Sequence, residues 1–251
     1  DPGAQEYAAN QTREEARHVT GFAKYIQARW GKPKPCGVVL EKLLCEIVAT
    51  PLVWKKLVGM QMIVEGLAMG TFATFYAKTN DPLMRKLMQF VMTDEAFHHK
   101  FGKIWADRTV PKLPENERNL IEDWALEVFM MLMRNSTGPE QKKEIYERIG
   151  LDWRWVQGAL AEALTDRNMR KELQESTNVF RVLIKTLLKA GIVTKRTAHY
   201  YAAYVDMEEL HGEGDRMVGD DIAEEGIRYL REINGAGGQA AIYALGGQAA
   251  E

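Results

Sequence analysis

The chain has 251 residues, with 33 basic and 35 acidic side chains and a formal net charge of −2. Its hydrophobic fraction of 46% is typical of a globular chain with a real core, and it excludes a disordered or collagen-like one. The near-neutral charge argues against a nucleic-acid-binding protein. The two cysteines, Cys36 and Cys45, form no disulfide framework, and no export signal stands at the N-terminus, so we expect a cytoplasmic protein.

Apolar residues recur with helical spacing along almost the whole chain, whereas strand signals are weak. The predicted helices span residues 4–29, 38–50, 52–78, 82–107, 116–134, 139–149, 152–164, 166–190, 196–211 and 215–233. Asp81 is predicted to cap the fourth helix, with Pro82 at its first position, and Gly191 to end the eighth. The Gly/Ala-rich tail 234–251 is predicted to be poorly ordered. These patterns together predict an all-α fold.

The third predicted helix is apolar enough to be tested as a membrane span. Residues 57–76 contain Glu65 as their only charged side chain, and they are long enough to cross a bilayer. The centre of a helical bundle also contains a helix that is apolar all round. Because Glu65 and three glycines interrupt the run, we predict a core helix and no membrane span.

Two of the helices carry the sequence Glu-x-x-His, first as Glu15 and His18 and later as Glu95 and His98. Residues three apart lie on one face of a helix, so each pair can hold one metal ion. A lone Glu-x-x-His is common on solvated helices. Two such pairs, each with an acidic residue just before the glutamate, are harder to explain by chance. The sequence therefore predicts a metal site between these helices.

Glu65 is expected to join this site, because its position matches that of Glu95. Each lies fifteen residues from Asn80, in the turn between the third and fourth helices. At a rise of 1.5 Å per residue, both stand roughly 22 Å from the tip of an antiparallel hairpin. A buried carboxylate without a partner is unfavourable, so Glu65 needs a cation.

This pattern resembles the ferritin-like di-iron carboxylate superfamily, which includes ribonucleotide reductase small subunits, multicomponent monooxygenase hydroxylases, aldehyde-deformylating oxygenases and rubrerythrins. The resemblance covers about residues 5–105 and implies a ferritin-like four-helix bundle with additional C-terminal helices. We divide the chain into bundle helices with the metal motifs at 1–110, additional helices of the same continuous domain at 111–233, and the tail at 234–251. The implied metal ligands are Glu15, His18, Glu65, Glu95 and His98.

Further residues follow from their positions beside these ligands. The resemblance implies that three charged neighbours support the ligating imidazoles and fix their tautomers, namely Glu14, Arg17 and Asp94. Five apolar residues stand one or two helical turns from a ligand and are predicted to line a pocket, namely Phe22, Met62, Met69, Phe72 and Val91. An apolar lining favours an apolar substrate over a mineral, although such residues are also ordinary core.

One ligand of the superfamily, the carboxylate of its first helix, has no match in this sequence. Only fourteen residues precede Glu15, and Glu6 lies too far along the same helix to reach the site. We expect the completing helix to lie before Asp1. The alternative is a five-ligand site that is completed by water or by a group from elsewhere.

The resemblance implies an O2-dependent non-haem oxidoreductase, a monooxygenase or oxidase with two iron ions or a manganese–iron pair. Its substrate would be a small apolar or aromatic molecule and its electron donor a ferredoxin or reductase, and homodimers are common in the superfamily. Phe22 and Met60 replace the radical and crosslinking tyrosines of two subclasses, which argues against those roles. Two alternatives stay open: a ferritin- or rubrerythrin-like protein that handles iron or peroxide, and a metal-free helical interaction protein.

Other histidines are weaker candidates for a site. Glu208 and His211 form a third Glu-x-x-His pair, but their acidic, glycine-flanked surroundings favour a solvated helix end. His99 points about 100° away from His98 around the helix, so we expect a supporting or structural role. His199 is expected to pack among the neighbouring tyrosines.

Overall fold

The computed structural model describes residues 2–163, 179–217 and 219–235, and these residues form helices and turns without a strand. The all-α prediction is therefore confirmed. The helices, in chain order, are α1 (Pro2–Trp30), α2 (Val38–Ala49), α3 (Val53–Lys78), α4 (Pro82–Thr109), α5 (Glu115–Thr137), α6 (Lys143–Arg148), α7 (Trp153–Ala163), α8 (Val179–Lys189), α9 (Ala198–Tyr201), α10 (Met207–Gly212) and α11 (Asp220–Gly235). Single 3₁₀ turns follow α4 at Val110–Lys112 and precede α6 at Pro139–Lys142.

The hairpin of α3 and α4 is the centre of the fold. Helix α8 packs along α3, α11 packs along α4, and α1 lies against α4 on another side. Helices α2 and α5 cover the first half of α3. One apolar cluster joins side chains from both sides of residue 110, including Leu43, Ile63, Phe129 and Leu187. The predicted division at residue 110 stays a prediction.

Helix α3 contains an eight-residue π-helical segment, Leu57–Val64, which ends directly before Glu65. The wider turn of a π-helix changes which side chains share a face with the residues that follow. Close contacts surround this segment: a Cβ atom on Gly102 would lie 2.8 Å from Cβ of Gln61, and one on Gly59 would lie 2.7 Å from Cδ1 of Ile47. Glycine at these two positions lets α4 and α2 approach the π-helical segment.

Asp81 holds the tip of the hairpin, as predicted. Its Oδ1 atom accepts hydrogen bonds from the backbone N–H groups of Leu83, at 2.9 Å, and Met84, at 3.4 Å. Its Oδ2 atom accepts a 2.8 Å hydrogen bond from the Tyr25 hydroxyl and lies 2.9 Å from Nη2 of Arg29. One carboxylate thus caps α4 and ties the end of α1 to it.

Asp81→Ala is expected to lower the free energy of unfolding by roughly 1–2 kcal/mol, because the cap and the link to α1 are lost together. Urea unfolding of the metal-free protein, followed by circular dichroism, measures this change. The exposed neighbour Asn80, changed to alanine, is the control and should have an effect of less than about 0.5 kcal/mol. Equal effects at the two positions would contradict the role given to Asp81.

The second half of the chain departs from the predicted elements at two points. The helix predicted at 215–233 begins only at Asp220. The single helix predicted at 196–211 is wrong, because the chain forms α9, a turn and then α10. Asp206 causes this break, since its side chain accepts hydrogen bonds from the N–H groups of Glu208 and Glu209 and starts a new helix. Gly191 has φ of +70° and ends α8, as expected. Most of the predicted helix at 166–190 and of the tail lies outside the described residues.

Helix α3 is the one described helix that is long and apolar enough to cross a membrane, and 56% of an 18-residue apolar stretch of it is buried inside the protein. The central helix of a soluble bundle can be equally long and apolar. Its length and composition therefore do not decide between the two environments.

Candidate metal centre

Helices α1, α3 and α4 bring the predicted ligands together at one level of the fold. One ligand atom from each of Glu15, Glu65, Glu95 and His98 lies within 4.8 Å of the others. Glu65 and Glu95 meet as their equal distance from the hairpin tip predicts. They are only 4% and 3% exposed, and His98 is fully buried. His18 completes the cluster, since its Nδ1 atom lies 3.2 Å from Oε1 of Glu95 and 3.3 Å from Oε2 of Glu15.

The two histidines are held in a crossed arrangement. The Nδ1 atom of His98 faces the cluster, 2.8 Å from Oε2 of Glu95 and 3.2 Å from Oε1 of Glu15. Its Nε2 atom lies 2.9 Å from Oε2 of Glu14, which belongs to the motif of α1. The Nε2 atom of His18 lies 3.0 Å from Oδ2 of Asp94, which belongs to the motif of α4. Each acidic neighbour therefore fixes the imidazole of the opposite helix.

Arg17 lies beside both acidic neighbours at the edge of the cluster. Its Nη2 atom donates a 2.9 Å hydrogen bond to Oδ2 of Asp94 and lies 3.8 Å from Oε1 of Glu14. The arginine side chain is exposed, so it contributes a screened positive charge rather than a buried one.

Both imidazoles are strongly basic in this setting. Burial lowers the pKa of His18, but hydrogen bonds to Asp94 and Glu15 outweigh that effect and raise the pKa to about 11. Burial likewise opposes the charge on His98, and hydrogen bonds to Glu15 and Glu95 raise its pKa to about 10. At neutral pH, each imidazole of the metal-free cluster is therefore doubly protonated and positively charged, and it is surrounded by carboxylates.

The three glutamates of the cluster separate into two kinds. Burial raises the pKa of Glu65 to about 10, and the nearby Glu95 adds to the shift. Burial also opposes the charge on Glu15, but hydrogen bonds with the two histidines outweigh it and lower the pKa to about 2. The same balance holds the pKa of Glu95 well below its usual range. Glu65 is therefore the member that stays protonated, because Nδ1 of His98, 4.0 Å from its Oε1 atom, lies closer to Glu95 and Glu15.

Two glutamines that the sequence reasoning missed extend the cluster towards α3. Nε2 of Gln11 donates a 3.1 Å hydrogen bond to Oε1 of Glu65, and Nε2 of Gln61 donates a 2.7 Å bond to Oε1 of Gln11. Each glutamine stands four residues before a clustered glutamate, Gln11 before Glu15 and Gln61 before Glu65. That spacing places both on the ligand face of their helix, and it is the signal that would have found them.

Tyr7 is a further missed neighbour, two turns before Glu15 on α1. Its ring stacks on Phe101 with ring centroids 4.0 Å apart. Its hydroxyl is buried and has no hydrogen-bond partner among the described residues. Burial, together with the negative charge of Glu65, raises the pKa of this phenol, so the tyrosine stays neutral beside the acidic cluster.

A groove of about 760 Å³ runs between α1 and α3 and opens onto the cluster. Phe22 and Phe72, two of the predicted pocket residues, line it with ring centroids 5.5 Å apart. Met62, Met69 and Val91 are buried and do not line it. The groove side of α3 carries Gln61, Val64, Glu65, Ala68 and Phe72.

The predicted pocket residues divide in this way because Glu65 lies at the boundary between the groove and α4. Before Glu65, Gln61 at −4 lines the groove and Met62 at −3 is buried in the core, which is the arrangement that regular helical spacing gives. After it, Ala68 at +3 turns roughly 60° towards the groove, whereas Met69 at +4 turns roughly 40° towards the core.

The other histidines lie outside the cluster. His99 is buried on another face of α4, with Nε2 2.9 Å from Oγ1 of Thr186, and burial lowers its pKa to about 4. Glu208 and His211 are exposed on α10, as a solvated helix end predicts. His199 is exposed and packs on Tyr200, with ring centroids 4.0 Å apart.

No protein-family model, no curated protein and no solved structure matches this chain. The structure shows a helical protein in which glutamates and histidines from three helices form a largely buried group that could hold a metal ion.

Proposed function

We propose that the cluster of Glu15, His18, Glu65, Glu95 and His98 binds two iron ions, or a manganese–iron pair. We further propose that the protein is an O2-dependent oxidoreductase of ferritin-like architecture, acting on a small apolar or aromatic molecule. The observation that carries this proposal is the crossed arrangement, in which both Nδ1 atoms face the carboxylates while both Nε2 atoms are held from outside. Metal-binding histidines in proteins have such an outer partner.

The chemistry of the donor set fits this choice of metals. It offers carboxylate oxygens and imidazole nitrogens and no thiolate, which suits iron and manganese better than soft-metal sites. Charge supports a pair of ions: Glu14, Glu15, Glu65, Asp94 and Glu95 would contribute five negative charges when ionised, and Arg17 one positive charge. Two divalent cations with neutral imidazoles would bring this group close to neutrality.

The residues around the metals would have separate tasks. Glu14 and Asp94 hold the imidazoles in the tautomer that leaves Nδ1 free to bind metal. The groove would admit an apolar substrate to the side of the cluster formed by Glu15 and Glu65. When bound, the metals would supply the reduction of O2, with electrons from a ferredoxin or reductase.

Metal binding is expected to release about three protons at neutral pH, because His18, His98 and Glu65 all hold a proton in the metal-free protein and must lose it to bind metal. The affinity should therefore rise with pH between about 6 and 9. Calorimetric titration with Mn²⁺, in buffers of different ionisation enthalpy, counts the protons. A binding heat that is independent of the buffer would contradict this protonation pattern.

Substrate-stimulated oxygen consumption tests the proposed reaction. The iron-loaded protein, with a chemical reductant, should consume O2 faster when an apolar or aromatic substrate is added, and an oxidised product should appear. An iron-storage protein would instead accumulate ferric mineral without any dependence on substrate. If the protein binds no metal, the remaining hypothesis is a metal-free helical interaction protein.

A further inference from the structure

The groove between α1 and α3 has matched walls. Gln11 faces Gln61, Glu15 lies near Glu65, and Phe22 stacks on Phe72, so each pair is separated by the same fifty residues. The two helices therefore run parallel on either side of the groove. From the glutamine pair to the phenylalanine pair is eleven residues, or roughly 16 Å along each helix. The groove thus has a polar end, an apolar end, and the acidic cluster between them.

Gln61 presents an unused acceptor at the polar end. The side chain is 92% buried and lines the groove, and its Oε1 atom accepts no hydrogen bond from any described residue. Its amide is oriented by a chain of donors, since Gln61 Nε2 donates to Gln11 and Gln11 Nε2 donates to Glu65. A buried acceptor without a partner is unfavourable by more than an ordinary hydrogen bond contributes, so a ligand that supplies a donor is favoured there.

The charge of the lining limits the ligand further. The charged residues of the described lining, Glu15, Glu65, Glu95 and His18, all belong to the proposed metal cluster, and the lining contains neither lysine nor arginine. A carboxylate or phosphate head group at the Gln61 end would place an anion against an acceptor oxygen, with no lysine or arginine of the described lining to offset its desolvation. An uncharged donor group satisfies Gln61 without this penalty.

We propose that the groove binds an elongated, uncharged apolar molecule whose terminal hydroxyl or amide N–H group donates to Oε1 of Gln61. The apolar end of this molecule packs against Phe22 and Phe72, and its middle carbons lie beside the metal cluster. The inference rests on the proposed metal centre, because an ionised, metal-binding Glu65 is what keeps the two glutamine amides pointing in this direction. It narrows the substrate class to neutral, long, apolar alcohols or amides and excludes fatty acids.

The test uses protein loaded with Zn²⁺, which is redox-inert, so that binding is measured without turnover. Zinc content is measured by mass spectrometry on each sample, and the affinities for 1-decanol and decanoate are measured by isothermal titration calorimetry. We expect 1-decanol to bind at least about tenfold more tightly than decanoate. Gln61→Met, which keeps the size of the side chain but removes the acceptor, should weaken 1-decanol binding about tenfold.

Two further variants test the location of the ligand. Ala68→Phe places a ring inside the groove and should abolish 1-decanol binding. Ala77→Phe makes the same change at an exposed position of α3 that does not line the groove, and it should leave binding unchanged.

Each outcome has a separate meaning. A sample that holds zinc but binds decanoate as tightly as 1-decanol, or binds 1-decanol equally well in Gln61→Met or Ala68→Phe, overturns this inference and leaves the metal centre standing. A native protein that takes up no zinc overturns the metal centre, and this inference with it.

Discussion

Replacing Glu65 and His98 together by alanine is expected to reduce the metal content of the protein from about two ions per chain to near zero. Glu65 is a buried carboxylate of α3 and His98 is the fully buried imidazole of α4, so the double change removes one ligand from each of two helices. Inductively coupled plasma mass spectrometry, after loading with Fe²⁺ under anaerobic conditions, measures the metal content.

The chain offers a matched control for this experiment. Glu208 and His211 have the same residue types in the same Glu-x-x-His spacing, but they are exposed on α10. The double variant Glu208→Ala and His211→Ala should keep the full metal content. Equal losses in the two double variants, or no metal in the native protein, would contradict the proposed centre and favour a helical interaction protein.

Glu65→Gln is expected to stabilise the metal-free protein while weakening its binding of metal. At neutral pH the buried carboxyl holds a proton that the unfolded chain has released, which lowers the stability of the native protein. From a pKa of about 10 in the fold against 4.5 in the unfolded chain, this effect is roughly 3 kcal/mol at pH 7. Glutamine resembles the protonated acid and therefore avoids this loss of stability. We expect a melting temperature about 5–10 °C higher for the metal-free variant.

The sign of the pH dependence follows from the raised pKa. Because the carboxyl binds its proton more tightly in the folded state, the folded protein loses stability as pH rises from about 4.5 to about 10. The histidines and the other glutamates of the cluster contribute in both proteins, so the difference between native protein and variant isolates Glu65. That difference should grow with pH through this window.

Calorimetric melting with and without Mn²⁺ tests whether Glu65 lowers the stability of the metal-free protein while strengthening its binding of metal. Metal should raise the melting temperature of the native protein by several degrees and that of Glu65→Gln by much less. Glu127→Gln, the same change at an exposed site on α5, should alter neither value. A metal-free Glu65→Gln protein that melts at or below the native temperature would contradict the account of Glu65.

The parts of the site that depend on spacing within regular helices could be predicted from the sequence. Glu65 and Glu95 meet because equal distances from a capped turn translate directly into equal height in a hairpin. The i, i+3 spacing likewise placed Glu95 beside His98. Local rules suffice here, since a straight helix converts residue number into position.

The features that could not be predicted depend on contacts between helices. The π-helical segment of α3 is bounded by the close approaches of Gly102 and Gly59, which no local pattern reveals. The groove between α1 and α3 is likewise a product of how these two helices pack. The break within 196–211 is different, because Asp206 is a capping residue that the sequence itself shows within an otherwise helical pattern.

The crossed support of the histidines means that this centre can be transferred to another protein only as a whole. Because Glu14 holds His98 and Asp94 holds His18, neither five-residue segment, 14–18 or 94–98, is complete without the other. A designer who grafts one segment alone onto a bundle transfers two ligands and no support for their imidazole. The transferable unit is the pair of antiparallel helices at their present relative height.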